Sequence, residues 1–136
     1  MNSLLIRGFL ALSGLIAVAL GALILLVPVP FYAGYGIDPA GQINLLNELR
    51  SHGLSLVVIG GFITAGAILP RFTTPALAVS AAFYLSYGLS RLVSLLLDGS
   101  PDQGLLASMV FELAVGSVAL LLYQRRRRVN LAPATI

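Results

Sequence analysis

Four apolar stretches, each close to the length of a bilayer crossing, constrain this chain more than any other feature. They run from about Leu4 to Val27, Gly53 to Leu69, Pro75 to Leu97 and Gly104 to Tyr123. A helix needs ~20 residues to cross ~30 Å of hydrocarbon. Lipid offers no partner to backbone N–H and C=O groups, so a spanning segment must satisfy its own. The period-two alternation of a membrane barrel is absent. The sequence therefore predicts an all-α fold, an integral membrane four-helix transmembrane bundle, with residues 1–136 forming one domain. Composition agrees. Only 10% of the residues are charged, against about 25% in a soluble domain, too few to cover a surface facing water.

Boundaries follow from prolines and polar runs. Pro28 and Pro30 close the first stretch, and Pro70 closes the second. Gln42 to His52 reads QINLLNELRSH, polar but helix-compatible, so the second helix is expected to extend back to residue 42, with Asp38-Pro39 as its start signal. The first stretch is too long for a typical signal-peptide core and lacks a clear small-residue cleavage site, so it is read as a retained span.

Every basic residue is arginine, and their placement orients the chain. Arg7, Arg71 and the run Arg125 to Arg128 fall on one side of a four-span topology, whereas Asp38, Asp98 and Asp102 occupy the loops on the other. The positive-inside rule then predicts a multi-pass protein of the bacterial inner membrane with both termini cytoplasmic and a basic tail over residues 124–136. Arg125, Arg126, Arg127 and Arg128 serve as a stop-transfer signal compatible with anionic-lipid contact. The run is too short, and too isolated, for nucleic acid. Phe31, Tyr32 and Tyr35 are expected in an outer aromatic belt, Phe72 and Tyr123 in an inner one.

Small residues recur at helix-contact spacing: Gly14, Ala17 and Gly21; Gly53, Gly60, Thr64 and Ala67; Ala78, Ala82, Ser86 and Ser90; Gly116 and Ala119. Such faces let helices approach closely in lipid. They are read as packing within one bundle, with a second copy or another membrane protein as the alternative occupant.

Five ionisable residues lie in or at the edge of the spans: Glu48, Arg50, His52, Arg91 and Glu112. Charge at membrane depth is costly and must pair, face a cavity or serve a function. The short third loop makes spans three and four a hairpin, which places Arg91 ~9 Å and Glu112 ~13 Å from the loop level, within reach of each other. Arg91 is therefore expected to pair with Glu112 or Glu48. Tyr84, Tyr87, Ser94 and Asp98 share a face with Arg91 and form a supporting polar stripe expected to point inward, and Ser108 joins Glu112. The cluster is read as a structural lock or, alternatively, as an outer-half pocket for a small ligand, lipid headgroup or ion.

Chemistry is conspicuous by what is missing. The sequence has no cysteine and one histidine, which cannot build most metal or triad sites. There is no phosphate loop, dinucleotide fingerprint or nucleophile elbow. No catalytic residue, metal or cofactor is expected.

Gly36-Ile37, Asn47-Glu48-Leu49-Arg50 with Gly53, Arg91 with Leu96-Leu97-Asp98-Gly99, and Glu112-Leu113 with Gly116 form an ordered set. In these motifs the chain resembles the domain of unknown function 4345 family of small four-helix bacterial membrane proteins, from about Leu4 to Arg128. The resemblance implies the four-span fold and inner-membrane residence and brings no activity with it. Ser51-His52 departs from the apolar or aromatic residues expected before the glycine. The expected role is that of a non-enzymatic accessory or structural membrane subunit; the alternative is a binder or carrier of a small amphipathic ligand or lipid, and an oligomeric transporter is a lesser one.

Overall fold

A computed structural model describes residues 3–131, with side chains through residue 128. Its helices are α1 (Ser3–Leu26), the short α2 (Pro28–Ala33), α3 (Ile43–Ile68), α4 (Thr73–Asp98) and α5 (Gln103–Leu131), and a 3-10 turn (Pro70–Phe72) joins α3 to α4. Four of them are long and apolar enough to cross a membrane. The start of α1, the 3-10 turn and the end of α5 share one end of the bundle, here called the terminal end. The opposite end carries α2 and is called the α2 end.

Proline sets the first break. Pro28 lacks an N–H and biases the residue before it away from helix, and Val27 is accordingly non-helical at φ −133°. The same proline then opens α2, where its fixed φ suits the first helical turn.

The bundle is two tight antiparallel pairs, α1 with α3 and α4 with α5. In the first, Gly14 packs on Gly60 and Gly21 on Gly53. A Cβ on Gly60 would lie 2.7 Å from the Gly14 carbonyl oxygen, and one on Gly53 2.8 Å from that of Gly21. These backbones touch because no side chain intervenes. In the second pair the contacts are reciprocal: Leu113 fills the space at Gly88, and Leu85 the space at Gly116. Arginines finish helix ends. Arg7 Nε donates to the Ala67 carbonyl at 2.6 Å, and Arg50 donates to the Leu25 carbonyl. Both acceptors lie in the last turn of a helix, where carbonyls lack intrahelical partners.

The two pairs join mainly at the terminal end, through Ile6, Leu10, Ile63, Ala67, Ala76, Leu77 and Tyr84. Tyr84 donates to the Ser13 carbonyl at 2.5 Å, and Thr73 to the Gly66 carbonyl at 2.9 Å.

Several expectations change. The small-residue series on α4 does not pack within the bundle: Ala82, Ser86 and Ser90 are exposed. Ser86 and Ser90 satisfy their hydroxyls on the Phe83 and Tyr87 carbonyls of their own helix, so they need no neighbour. α5 continues through Arg125 to Arg128 to Leu131, because glutamine and arginine are good helix formers and nothing breaks the run. The rest of the expected basic tail lies outside the described residues. Phe31 and Tyr32 belong to α2 and, with Tyr35, are half-buried and turn toward the bundle interior. Tyr123 is half-buried against the core.

Candidate functional site

At the α2 end the two helix pairs part around a cavity of about 170 Å³. α1 contributes Ala17, Leu20 and Ile24; α3 contributes His52 and Leu56; α4 contributes Phe83, Tyr84, Tyr87 and Arg91. α5 supplies Leu105, Ser108, Phe111 and Glu112, while Phe31, Tyr32 and Tyr35 roof the space.

Arg91 and Glu112 form a two-pronged ion pair, with Nε to Oε2 at 2.8 Å and the second nitrogen to Oε1 at 3.1 Å. This is the strongest geometry available to the two groups. The arginine side chain keeps 31% of its surface exposed and the glutamate 12%, so the pair edges the cavity. It leaves the cavity close to neutral. The Tyr87 hydroxyl lies 2.9 Å from His52 Nδ1, linking α4 to α3 across the space. Phe83 bridges the aromatic wall, with ring centroids 5.0 Å from Tyr84 and 4.9 Å from Tyr87. On the roof, burial raises the Tyr32 phenol above its ordinary range although the Arg91 charge pulls the other way. It therefore stays a protonated hydroxyl at neutral pH.

The wall is incomplete between α1 and α5, which hardly touch. Leu20 and Phe111, one on each, line the cavity and still keep 38% and 40% of their surface exposed.

Of the five ionisable residues singled out by sequence, His52, Arg91 and Glu112 come together here. Glu48 and Arg50 do not. Glu48 is exposed and lies one helical turn beyond His52, clear of Arg91; the Arg91–Glu112 contact is the one salt bridge among the described residues. Arg50 turns away to the end of α1. The expected inward stripe on α4 also divides. Tyr84 and Tyr87 face the cavity, whereas Ser94 and Asp98 are exposed and bonded to each other at 2.7 Å. The roof residues and Phe111 were not anticipated. Their signal was the density of rings between Phe31 and Tyr35, which membrane-interface statistics explained too readily. Among the described residues no three of His, Cys, Asp and Glu gather.

Residues 5–123 match the family described as Domain of unknown function (DUF4345). No curated protein and no solved structure matches the chain.

Proposed function

From the premise that the chain belongs to the DUF4345 family, whose description names no activity, we propose that it binds a small, largely neutral amphipathic molecule in the α2-end cavity, without catalysis of its own. The observation that carries this reading is the cavity's lining: apolar and aromatic walls around one localised set of polar groups, His52, Tyr87 and the Arg91–Glu112 pair. Ligand sites have this make-up, a mostly apolar hollow with a few placed polar groups. Size narrows the class. An engineered protein cavity of about 150 Å³ takes up benzene, so about 170 Å³ suits one ring or a short chain with a polar head. The neutral ion pair disfavours a strongly charged head, and the gap between α1 and α5 supports entry from lipid. On this reading the protein resides in the bacterial inner membrane with both termini in the cytoplasm, in keeping with Arg7, Arg71 and Arg125 to Arg128 at the terminal end.

A second reading, an accessory subunit packed on another membrane protein, is favoured by α5. Its span is 11% buried, against 33% for each of the other three. Native mass spectrometry of the protein gently extracted from its own membranes distinguishes the two. Ligand binding predicts an added small-molecule mass that is reduced in Leu105→Phe, whose larger ring takes up part of the cavity. A stoichiometric protein partner with no small molecule would sink the ligand reading and support the subunit one.

A further inference from the structure

The terminal end has a cleft of its own, about 120 Å³, lined by Ser3, Arg7, Ala67, Pro70, Thr73 and Arg126. We infer that it is a second binding site, specific for a single phosphate group, held between the guanidinium groups of Arg7 and Arg126. The argument is independent of the α2-end cavity.

Two arginines from opposite ends of the sequence converge here, one from α1 and one from α5. Each is oriented by the protein through its Nε alone. Arg7 Nε donates to the Ala67 carbonyl at 2.6 Å, and Arg126 Nε donates to Thr74 Oγ1 at 2.9 Å. Recognition is left to the terminal amino groups. Arginine's planar fork matches phosphate oxygens, and a plane fixed beforehand loses less freedom on binding.

Charge separates this cleft from the other. The chain's acidic side chains are Asp38, Glu48, Asp98, Asp102 and Glu112; all belong to the α2 end or to the α2-end cavity. Glu112 neutralises Arg91, but no carboxylate side chain lies at the terminal end to do the same for Arg7 and Arg126. The start of α4, at Thr73, adds the positive end of a 26-residue helix. The opposing negative end of α3 is blunted where Arg7 covers its Ala67 carbonyl.

Depth points to a source. Arg7 lies in the second turn of α1, and Arg126 follows the apolar stretch that ends at Tyr123. Both therefore sit at the edge of the hydrocarbon, the level of lipid phosphates. The structure also singles out Arg126 from its run, since it is half-buried while Arg125, Arg127 and Arg128 are exposed. A phospholipid headgroup and free phosphate share the chemistry that the cleft would recognise.

Native mass spectrometry of the full chain in neutral detergent, with phosphatidylglycerol or inorganic phosphate added, tests the site. The wild type should retain one phosphatidylglycerol. A charge-assisted bond from a guanidinium to a phosphate contributes roughly tenfold, so Arg7→Gln with Arg126→Gln should weaken retention about 100-fold. Arg127→Gln with Arg128→Gln removes the same charge and should cost less than about twofold, because those exposed side chains lie outside the cleft and salt screens them. Equal losses in the two pairs would overturn the site in favour of diffuse attraction, and so would retention of neither lipid nor phosphate. Arg7→Gln also gives up a helix-end contact. Arg126→Gln alone, with its fold checked by circular dichroism, should therefore show about a tenfold loss, and undiminished retention would overturn the inference. Displacement of the lipid by excess inorganic phosphate would show that the phosphate group suffices. Lipid that resists displacement would assign the same cleft to the headgroup.

Discussion

At the terminal end Ile6, Leu10, Ile63 and Leu77 are each 1% exposed or less and close the space between the helix pairs. At the α2 end the same four long helices part around about 170 Å³. The connections explain much of the contrast. A three-residue 3-10 turn ties one pair to the other by drawing α3 and α4 together at the terminal end, whereas the connections at the α2 end run within a pair, α1 to α3 and α4 to α5. Small and branched apolar side chains fill the first region; rings, a histidine and an ion pair stand around the second. In lipid, helices gain by close packing rather than by escape from water, so a hollow forfeits dispersion contacts. The α2-end hollow coincides with the polar side chains that are costliest at membrane depth, and that coincidence favours a binding role over incomplete packing.

The scaffold common to both regions should be the most sensitive. Gly60→Leu would drive a side chain into the α1 backbone and should cost ~3 kcal/mol or more in denaturant unfolding from micelles. Gly61→Leu, where a Cβ meets nothing within 4 Å, should change stability by less than ~0.5 kcal/mol. Next comes the ion pair at the edge of the hollow. Arg91→Leu strands the Glu112 carboxylate and should cost ~3 kcal/mol, while Arg91→Leu with Glu112→Leu should cost less than ~1 kcal/mol. Similar losses for the single and double variants would show that the pair is not coupled.

The contrast itself is sharpened by adding volume to each region. Leu77→Phe overfills the solid end and should cost ~2 kcal/mol, whereas Leu105→Phe enters the cavity and should cost less than ~0.5 kcal/mol. If both cost the same, the two regions do not differ in packing. The smallest effects concern single hydroxyls. Tyr84→Phe gives up the bond to Ser13 and should lose ~1 kcal/mol. The Ser80 hydroxyl is buried without a partner among the described residues, so Ser80→Ala should gain ~1 kcal/mol by the same unfolding measurement.

The long helices were legible in the sequence because span length and proline position are local properties. The α1–α3 seam was half legible. The Gly14–Gly21 and Gly53–Gly60 spacings announced two packing faces, but nothing local said that they meet each other. The same spacing argument wrongly placed Ala82, Ser86 and Ser90 inside the bundle, whereas all three are exposed and the two serine hydroxyls are satisfied within their own helix. Arg91 with Glu112 could be found by counting depth along a short hairpin, since the rise per residue is fixed. Glu48 could not be excluded in that way, because its distance from Arg91 depends on how the two helix pairs splay. The roof was hidden for a related reason: α2 follows a break, and sequence period does not report where a six-residue helix folds back.

The absence of cysteine permits a direct test of the central claim, that the α2 end is an accessible hollow and the terminal end a packed core. Ser108→Cys places a thiol on the cavity wall, and Ser80→Cys places one at a site 0% exposed. In micelles, a small neutral maleimide should label the Ser108→Cys protein at least about tenfold faster, because thiol reactivity follows access. Equal labelling rates at the two positions would contradict the account.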